Sequence, residues 1–159
     1  MSNKEKESKN NKGSISSPPG DSYVCNNAIL MCSNGDKTSR LIVSPLRTIW
    51  LTGEPQANID DHKPLKNIQP FGKCHTVLYP PTGAATSANH GKLTPMPCQP
   101  NTMMPWMRGK DDVLLRNFPA LLKTSNCRCA YGGNITIVFD GQGSVDSRPV
   151  VKQPKKRFS

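Results

Sequence analysis

A chain of 159 residues with 35% hydrophobic and 6% aromatic residues has room for one small core, which argues against a multidomain protein. Its 15 prolines and 12 glycines argue against a helical bundle. Of the net charge of +10, residues 1–20 contribute +2 and residues 143–159 contribute +4. Because a basic face for nucleic acid would concentrate charge in the folded part, we interpret the excess as solvated tails and expect no nucleic-acid partner.

The first 20 residues are rich in Lys, Asn and Ser and are expected to form a disordered leader. Their lysines are not followed by an apolar run, so they do not resemble a secretory signal, and no apolar run is long enough to cross a bilayer. The chain is therefore expected to be cytoplasmic when made, where thiols or a metal site are favoured over disulfides. Residues 143–159 are predicted to be a basic tail, which leaves residues 21–142 as the folded domain.

Short β-strands are predicted along this folded part. In SYVCNNAILMCS, two apolar runs flank Asn26 and Asn27, which tolerate positive φ and predict a tight hairpin. Further strands are predicted in SRLIVSP, RTIWLTGEP, DDVLLRNFPALL and NITIVFDGQG, and the last alternates its apolar residues on one face. Residues 84–91 are typical of one helical turn. The pattern predicts a mainly β protein of short hairpins and stiff loops.

One segment is repeated in the sequence. IWLTGEPQAN at residues 49–58 aligns with VLLRNFPALL at residues 113–122. In both copies a residue that bends readily, Gly53 or Asn117, precedes a proline that suits the edge of a strand. The alignment predicts two copies of one β-hairpin. A third copy, sought in the YVCNNAILMCSNGDKTSRLIV segment, does not align.

A stiff loop is predicted between Asn67 and Trp106. Prolines in this stretch limit φ and lower the entropy lost on ordering, and Cys74 and Cys98 can anchor its two sides. A small core often needs a metal or disulfide staple, and the chain has six cysteines. No C-x-x-C pair occurs, so spacing alone selects no ligand set and leaves buried thiols, disulfides and other ligand sets as alternatives.

Several motifs in this order carry a resemblance to a known family. They are PFGKC, TPMPCQP, the PALL hairpin, CRCAYGG and a closing GQ, all within residues 22–142. Together they resemble the PAAR-like spike-tip proteins of contractile injection systems, a family first described as a domain of unknown function. The resemblance covers neither end of the chain.

This resemblance implies a small conical β domain that caps the trimeric β-helical spike, a VgrG-like protein, of a type VI secretion or related injector. One chain would sit on three spike subunits, carry effector cargo and make transient contact with a target membrane. It would be exported from the cytoplasm on firing. The open end of a β-helix exposes unpaired backbone groups, so a cap of repeated hairpins has a physical purpose there.

The resemblance also implies a structural zinc ion near the apex, because a cone has little interior to bury apolar side chains. The family's motif positions fall on Cys32, Cys74, Cys98 and Cys129. His62, His75 and Cys127 are alternative ligands, each histidine being otherwise a solvated loop residue, and Cys25 is an extra thiol.

Two other classes of function remain as alternatives to a spike tip. One is a zinc-stapled nucleic-acid-binding module that uses the basic ends. The other is a thiol enzyme in which Cys74 or Cys98 works with a histidine and Asp60 or Asp61. No GxSxG, HExxH or phosphate-binding loop motif supports catalysis, so we expect no enzymatic activity.

Overall fold

The computed structural model describes residues 21–143. The predictions of a disordered leader at residues 1–20 and of a basic tail at residues 143–159 therefore lie outside the described residues, apart from Gly143. Within them the chain is mainly β, as predicted, with small antiparallel sheets and one short helix.

The strands are short because prolines, glycines and turns interrupt the pairing every few residues. The elements in chain order are β1 (Ile29–Cys32), β2 (Ser39–Arg40), β3 (Trp50–Leu51), β4 (Glu54–Pro55), β5 (Lys73–Cys74), α1 (Pro80–Ala88), β6 (Met96–Pro97), β7 (Lys110–Leu115), β8 (Phe118–Ala120), β9 (Asn126–Arg128) and β10 (Asn134–Phe139).

The largest sheet has four antiparallel strands in the order β9-β10-β1-β2. Along β10, Ile135 and Ile137 are buried, and along β1 Leu30 and Cys32 are buried, so one face of the sheet covers the core. Trp106 is 2% exposed and belongs to the same core, where its indole N–H donates to the carbonyl of Asp61. The remaining pairs, β3-β4, β5-β6 and β7-β8, are separate two-stranded sheets.

The predicted repeat is present as two hairpins with the same register. In the β3-β4 hairpin Leu51 lies opposite Glu54, and in the β7-β8 hairpin Leu115 lies opposite Phe118. Each hairpin turns on two residues with positive φ, Thr52 (49°) and Gly53 (85°) in one, and Arg116 (53°) and Asn117 (72°) in the other. These φ values are typical of the turns that match the twist of paired strands.

A closed ring of backbone hydrogen bonds joins three segments and contains the third copy that sequence alignment misses. The amide of Ala57 donates to the carbonyl of Val24 (2.8 Å), that of Val24 to Leu121 (3.0 Å), and that of Leu121 to Ala57 (3.0 Å). All three residues are fully buried. Ala57 and Leu121 occupy the same position in the two copies, so the residues around Val24 form the corresponding part of a third.

The residues on either side of the ring repeat the same pattern. Each segment bridges the next through equivalent positions, at Tyr23–Leu122, Cys25–Gln56 and Asn58–Ala120. Outside these bridges, three further amides donate to equivalent carbonyls: Asn26 to Pro55 (2.9 Å), Ile59 to Pro119 (3.0 Å) and Lys123 to Ser22 (2.8 Å). The backbone hydrogen bonds here follow an approximately three-fold pattern although the side chains differ.

The hairpin predicted around Asn26 and Asn27 is wrong in its pairing. The turn forms, with Asn27 at a φ of 71° and the amide of Ala28 donating to the carbonyl of Cys25 (3.2 Å). Its two arms pair with other segments, because Tyr23 and Cys25 belong to the three-fold ring while β1 pairs with β10 and β2. The turn itself forms as predicted, but pairing with distant segments replaces pairing between its two arms.

The loop from Asn67 to Trp106 contains more regular structure than predicted. The helix α1 spans Pro80–Ala88 and so begins before the helical turn expected at residues 84–91, with proline in its first turn, where a missing N–H costs nothing. The hydroxyl of Thr82 donates to the carbonyl of Cys74 (2.7 Å) and accepts from the amide of Met96 (3.1 Å), which fixes the helix against β5 and β6. In the described part of the chain, no helix is long and apolar enough to span a membrane.

Candidate metal centre

The four cysteines matched to the family motifs line one small cavity. Cys32, Cys74, Cys98 and Cys129 come from four separate segments and face a space of about 10 Å³. A space of roughly this size holds a single water-sized guest. The walls between the sulfurs are mostly apolar or aromatic, among them Phe71, Tyr79, Tyr131 and Ile135.

Backbone pairing brings the four cysteines together. Cys32 ends β1 and lies opposite Ile135 of β10, while Cys74 ends β5 and lies opposite Met96 of β6. The amide of Cys98, just beyond β6, donates to the carbonyl of Gly72 (2.7 Å).

Cys129 is placed by the turn that joins β9 to β10. Its amide donates to the carbonyl of Gly133 (2.9 Å), and the amide of Gly132 donates back to the carbonyl of Cys129 (2.9 Å). Gly132 has a φ of 90°, a conformation that glycine adopts without strain. These bonds hold the cysteine in a tight turn at the edge of the cavity.

Burial and mutual repulsion both act on the thiols around the cavity. Burial, together with negative charge on Cys32, Cys74 and Cys129, raises the pKa of Cys98 to about 11. The pKa of Cys74 is likewise raised, chiefly by burial and also by charge on Cys129. These sulfurs are close enough to repel as thiolates, so their joint ionisation would require a compensating cation.

Two tyrosines cover part of the site. The rings of Tyr79 and Tyr131 meet edge to face with centroids 5.1 Å apart, and the hydroxyl of Tyr79 donates to the carbonyl of Pro97 (2.8 Å). The pKa of Tyr79 is raised, first by burial and then by the charge that Cys98 and Cys74 would carry. The hydroxyl is therefore held as a neutral donor beside the cysteines.

The chemistry and size of the cavity fit a zinc ion held by four thiolates. As the side chains stand, no group of three or more His, Cys, Asp or Glu residues within residues 21–143 is arranged to hold a metal ion. Coordination would require the sulfurs to converge on the cavity centre. The structure thus brings the four predicted cysteines to one place, and zinc binding stays a prediction.

The alternative ligands lie elsewhere. The thiol of Cys127 points to the carbonyl of Met104 (3.6 Å), although Cys127 is only two positions from Cys129 on an extended chain. Burial raises the pKa of Cys127 to about 12. Cys25 is also fully buried, with its thiol 3.7 Å from the carbonyl of Asp140.

Neither candidate histidine lines the cavity. His62 is buried rather than solvated, and its Nδ1 donates to the carbonyl of Thr102 (2.8 Å), while the hydroxyl of Thr102 donates to the carbonyl of His62. His75 is half-buried, with Nδ1 3.2 Å from the carbonyl of Lys73. These contacts give His62 a structural role that ties the turn after Asn58 to the stiff loop.

The carboxylates considered for a thiol enzyme are paired with cations instead. Asp61 is in contact with the guanidinium of Arg47, and Asp60 lies 2.9 Å from the ammonium of Lys63. Neither carboxylate lines the cysteine cavity. The residues that sequence reasoning missed there are the tyrosines and Gly133, and the CRCAYGG motif, which includes Tyr131 and Gly133, was the available signal.

Comparison with known proteins identifies the family. Searches among curated proteins and among solved structures found no match. The model of a family described as a domain of unknown function, DUF4280, matches residues 24–142. This range includes all four cavity cysteines and all three copies of the ring segment apart from Ser22 and Tyr23. The chain therefore belongs to the DUF4280 family.

Proposed function

We propose that this chain is a PAAR-like tip that caps the trimeric β-helical spike of a contractile injection system. The observation that carries the proposal is the closed ring through Val24, Ala57 and Leu121. A single chain has no need of three-fold backbone symmetry for its own stability. A monomer that binds a three-fold partner gains from it, because each of three similar segments can meet one identical subunit.

The repeated hairpins would supply the contact surface for such a partner. Ile49 and Trp50 in or beside the first hairpin are 46% and 49% exposed, and Leu114 and Phe118 in the second are 60% and 38% exposed. Apolar side chains this exposed on two equivalent arms are typical of an interaction surface. The open end of a β-helix offers the complementary apolar core and unpaired strand edges.

The cysteine cavity would give the cap its rigidity. Bound zinc would supply four strong bonds between chain segments that are far apart in sequence, and its binding free energy would add to the stability of the fold. Cys32, Cys74, Cys98 and Cys129 would hold the ion. The tyrosine pair over the cavity would shield it from water.

In this proposal the protein starts in the cytoplasm, leaves the cell with the injector and meets the target membrane briefly at its conical end. Effector proteins fused or docked elsewhere on the apparatus would travel with it. No chemical step is assigned to the protein, so its work is mechanical.

Co-purification with the spike trimer of the same organism tests the proposal. Native mass spectrometry should find one chain per three spike subunits, and the complex should persist after nuclease treatment. Binding of three chains per trimer, or no binding by folded zinc-loaded protein, would contradict a three-fold cap. DNA or RNA binding that weakens steeply with salt would instead favour the nucleic-acid alternative.

A further inference from the structure

We propose that an open cleft beside the β7-β8 hairpin binds an oxyanion, either a carboxylate or a phosphate group. The cleft has a volume of about 600 Å³. It is lined by Arg116, Asn117 and Phe118 of the hairpin and by Arg47 and Lys66 from earlier in the chain. This site is separate from the cysteine cavity, with which it shares no lining residue.

Cations in the cleft outnumber the carboxylates that could neutralise them. Asp60 lines the cleft, and its carboxylate lies 2.9 Å from the ammonium of Lys63. Asp61 lines the adjoining cavity and contacts Arg47. Neither Lys66 nor Arg116 has an ion-pair partner among residues 21–143. Two positive charges among the lining residues are thus left for a ligand.

Arg47 lines the cleft and has one hydrogen-bond donor without a partner among residues 21–143. Its side chain is 12% exposed, and the guanidinium Nη2 contacts Asp61. Nη1 is buried and makes no hydrogen bond within the described part of the chain. A buried donor without a partner is unfavourable, so an acceptor that reached it would stabilise the protein. The planar fork of guanidinium groups suits the paired oxygens of carboxylate and phosphate.

The position of Arg116 is unusual for its residue type. It begins a two-residue turn at a φ of 53°, where glycine or asparagine is favoured. The equivalent turn position in the first hairpin is Thr52 at a φ of 49°, which is uncharged. The turn therefore forms with a smaller, uncharged side chain at this position, so the hairpin itself does not require a cation there. Of the two repeated hairpins, only β7-β8 has a cationic residue at this turn position.

Two sources can supply the same oxyanion chemistry. One is a free anion such as inorganic phosphate. The other is a carboxylate of the spike trimer, brought to the cleft when the hairpins meet their partner. The oxyanion site itself is independent of the proposed function, and only the second source rests on it.

Titration of the isolated full-length chain tests the site. Inorganic phosphate and acetate are added at constant ionic strength, set with chloride, while amide NMR shifts of residues 44–66 and 116–118 are followed. Wild type should saturate with at least one anion. Arg116→Thr, which recreates the turn of the other repeat, and Lys66→Gln should each weaken binding about tenfold, the loss expected for one charge-assisted hydrogen bond. Lys92→Gln, which removes an exposed charge outside the cleft, is the matched control and should bind as wild type does.

Lack of saturation with both anions, or an equal loss of anion affinity in Lys92→Gln, would overturn the proposal.

A competition experiment then identifies the source of the anion. Phosphate should displace wild-type protein from the spike trimer if the trimer supplies the carboxylate. It should leave that complex intact if the natural ligand is a free anion. Because the titration uses the isolated chain, failure of trimer binding and failure of the anion site are separate results.

Discussion

Gly133 lies directly against the sulfur of Cys32. A Cβ added at Gly133 would be 2.7 Å from Cys32 Sγ and 3.5 Å from the Cβ of Cys129. Gly133→Ala should therefore displace the thiol of Cys32 from the cavity and lower zinc affinity by about tenfold or more, as changes next to a metal ligand commonly do. Competition with a chromogenic chelator on purified protein would measure the loss.

Gly53→Ala is the matched control for this substitution. It also adds one methyl group, but nothing lies within 4 Å of the new atom, and its cost comes from the φ of 85°. That strain should destabilise the protein by about 1–2 kcal/mol and leave zinc affinity unchanged. Equal zinc affinities of Gly133→Ala and wild type would show that Cys32 is not a ligand.

The sequence was sufficient to predict the repeated hairpins, because their turns and prolines are local features. It did not reveal the third copy, since the residues around Val24 share a backbone path with Ala57 and Leu121 but few side chains. Hydrogen bonds of this kind depend on backbone geometry alone, so side-chain patterns carry little record of them. The hairpin predicted at Asn27 is wrong for the same reason, since Tyr23 and Cys25 pair through their backbones with distant segments.

For the candidate site, family motifs selected the four cysteines that share a cavity, whereas spacing selected none. The sequence could not show that Cys129 lines the cavity while Cys127 does not. Residues two apart on an extended chain are expected to face the same way, yet the turn after β9 directs Cys129 to the cavity and leaves Cys127 facing Met104. The role of Gly133 likewise depends on a contact that only coordinates reveal.

The two classes of thiol should respond differently to serine substitution. Cys98→Ser removes a cavity thiol and should reduce zinc from about one ion per chain to less than half under limiting metal, because serine is a poor zinc ligand. Cys25→Ser changes a buried thiol outside the cavity and should keep full zinc content. Elemental analysis after gel filtration gives both values. Full occupancy in Cys98→Ser, or equal losses in both variants, would refute the proposed ligand set.

Apolar side chains on the repeated hairpins should contribute to binding of the spike trimer. Trp50→Ala and Phe118→Ala should each weaken binding by about 1–2 kcal/mol, or roughly 5- to 30-fold, with little change in stability because both side chains are exposed. Leu78→Ala is the control, since Leu78 is 67% exposed and lies beside Gly132 near the cysteine cavity. Surface plasmon resonance with immobilised trimer would measure all three. Weaker trimer binding in Leu78→Ala alone would show that the trimer contacts the region near the cysteine cavity and not the hairpins.

Cys25 should make the stability of the fold depend on alkaline pH. Burial, followed by the charges of Asp140 and Glu54, raises its pKa from 9.0 to about 12. The folded state holds the thiol proton more tightly than the unfolded state does. The protonated thiol therefore contributes its full share to the free energy of unfolding below pH 9, and this share is lost as pH rises from about 9 to about 12. At pH 10 the loss of stability from this one group is on the order of 1 kcal/mol.

Cys25→Ala removes this titration, so its urea unfolding curve should move toward that of wild type between pH 8 and pH 10. The two proteins should differ by a constant free energy at pH 7 and pH 8, where the thiol is protonated in both states. The comparison within one buffer series cancels the titration of lysines and tyrosines common to both chains. A difference that stays constant up to pH 10 would mean that the Cys25 thiol ionises as easily in the folded protein as in the unfolded chain.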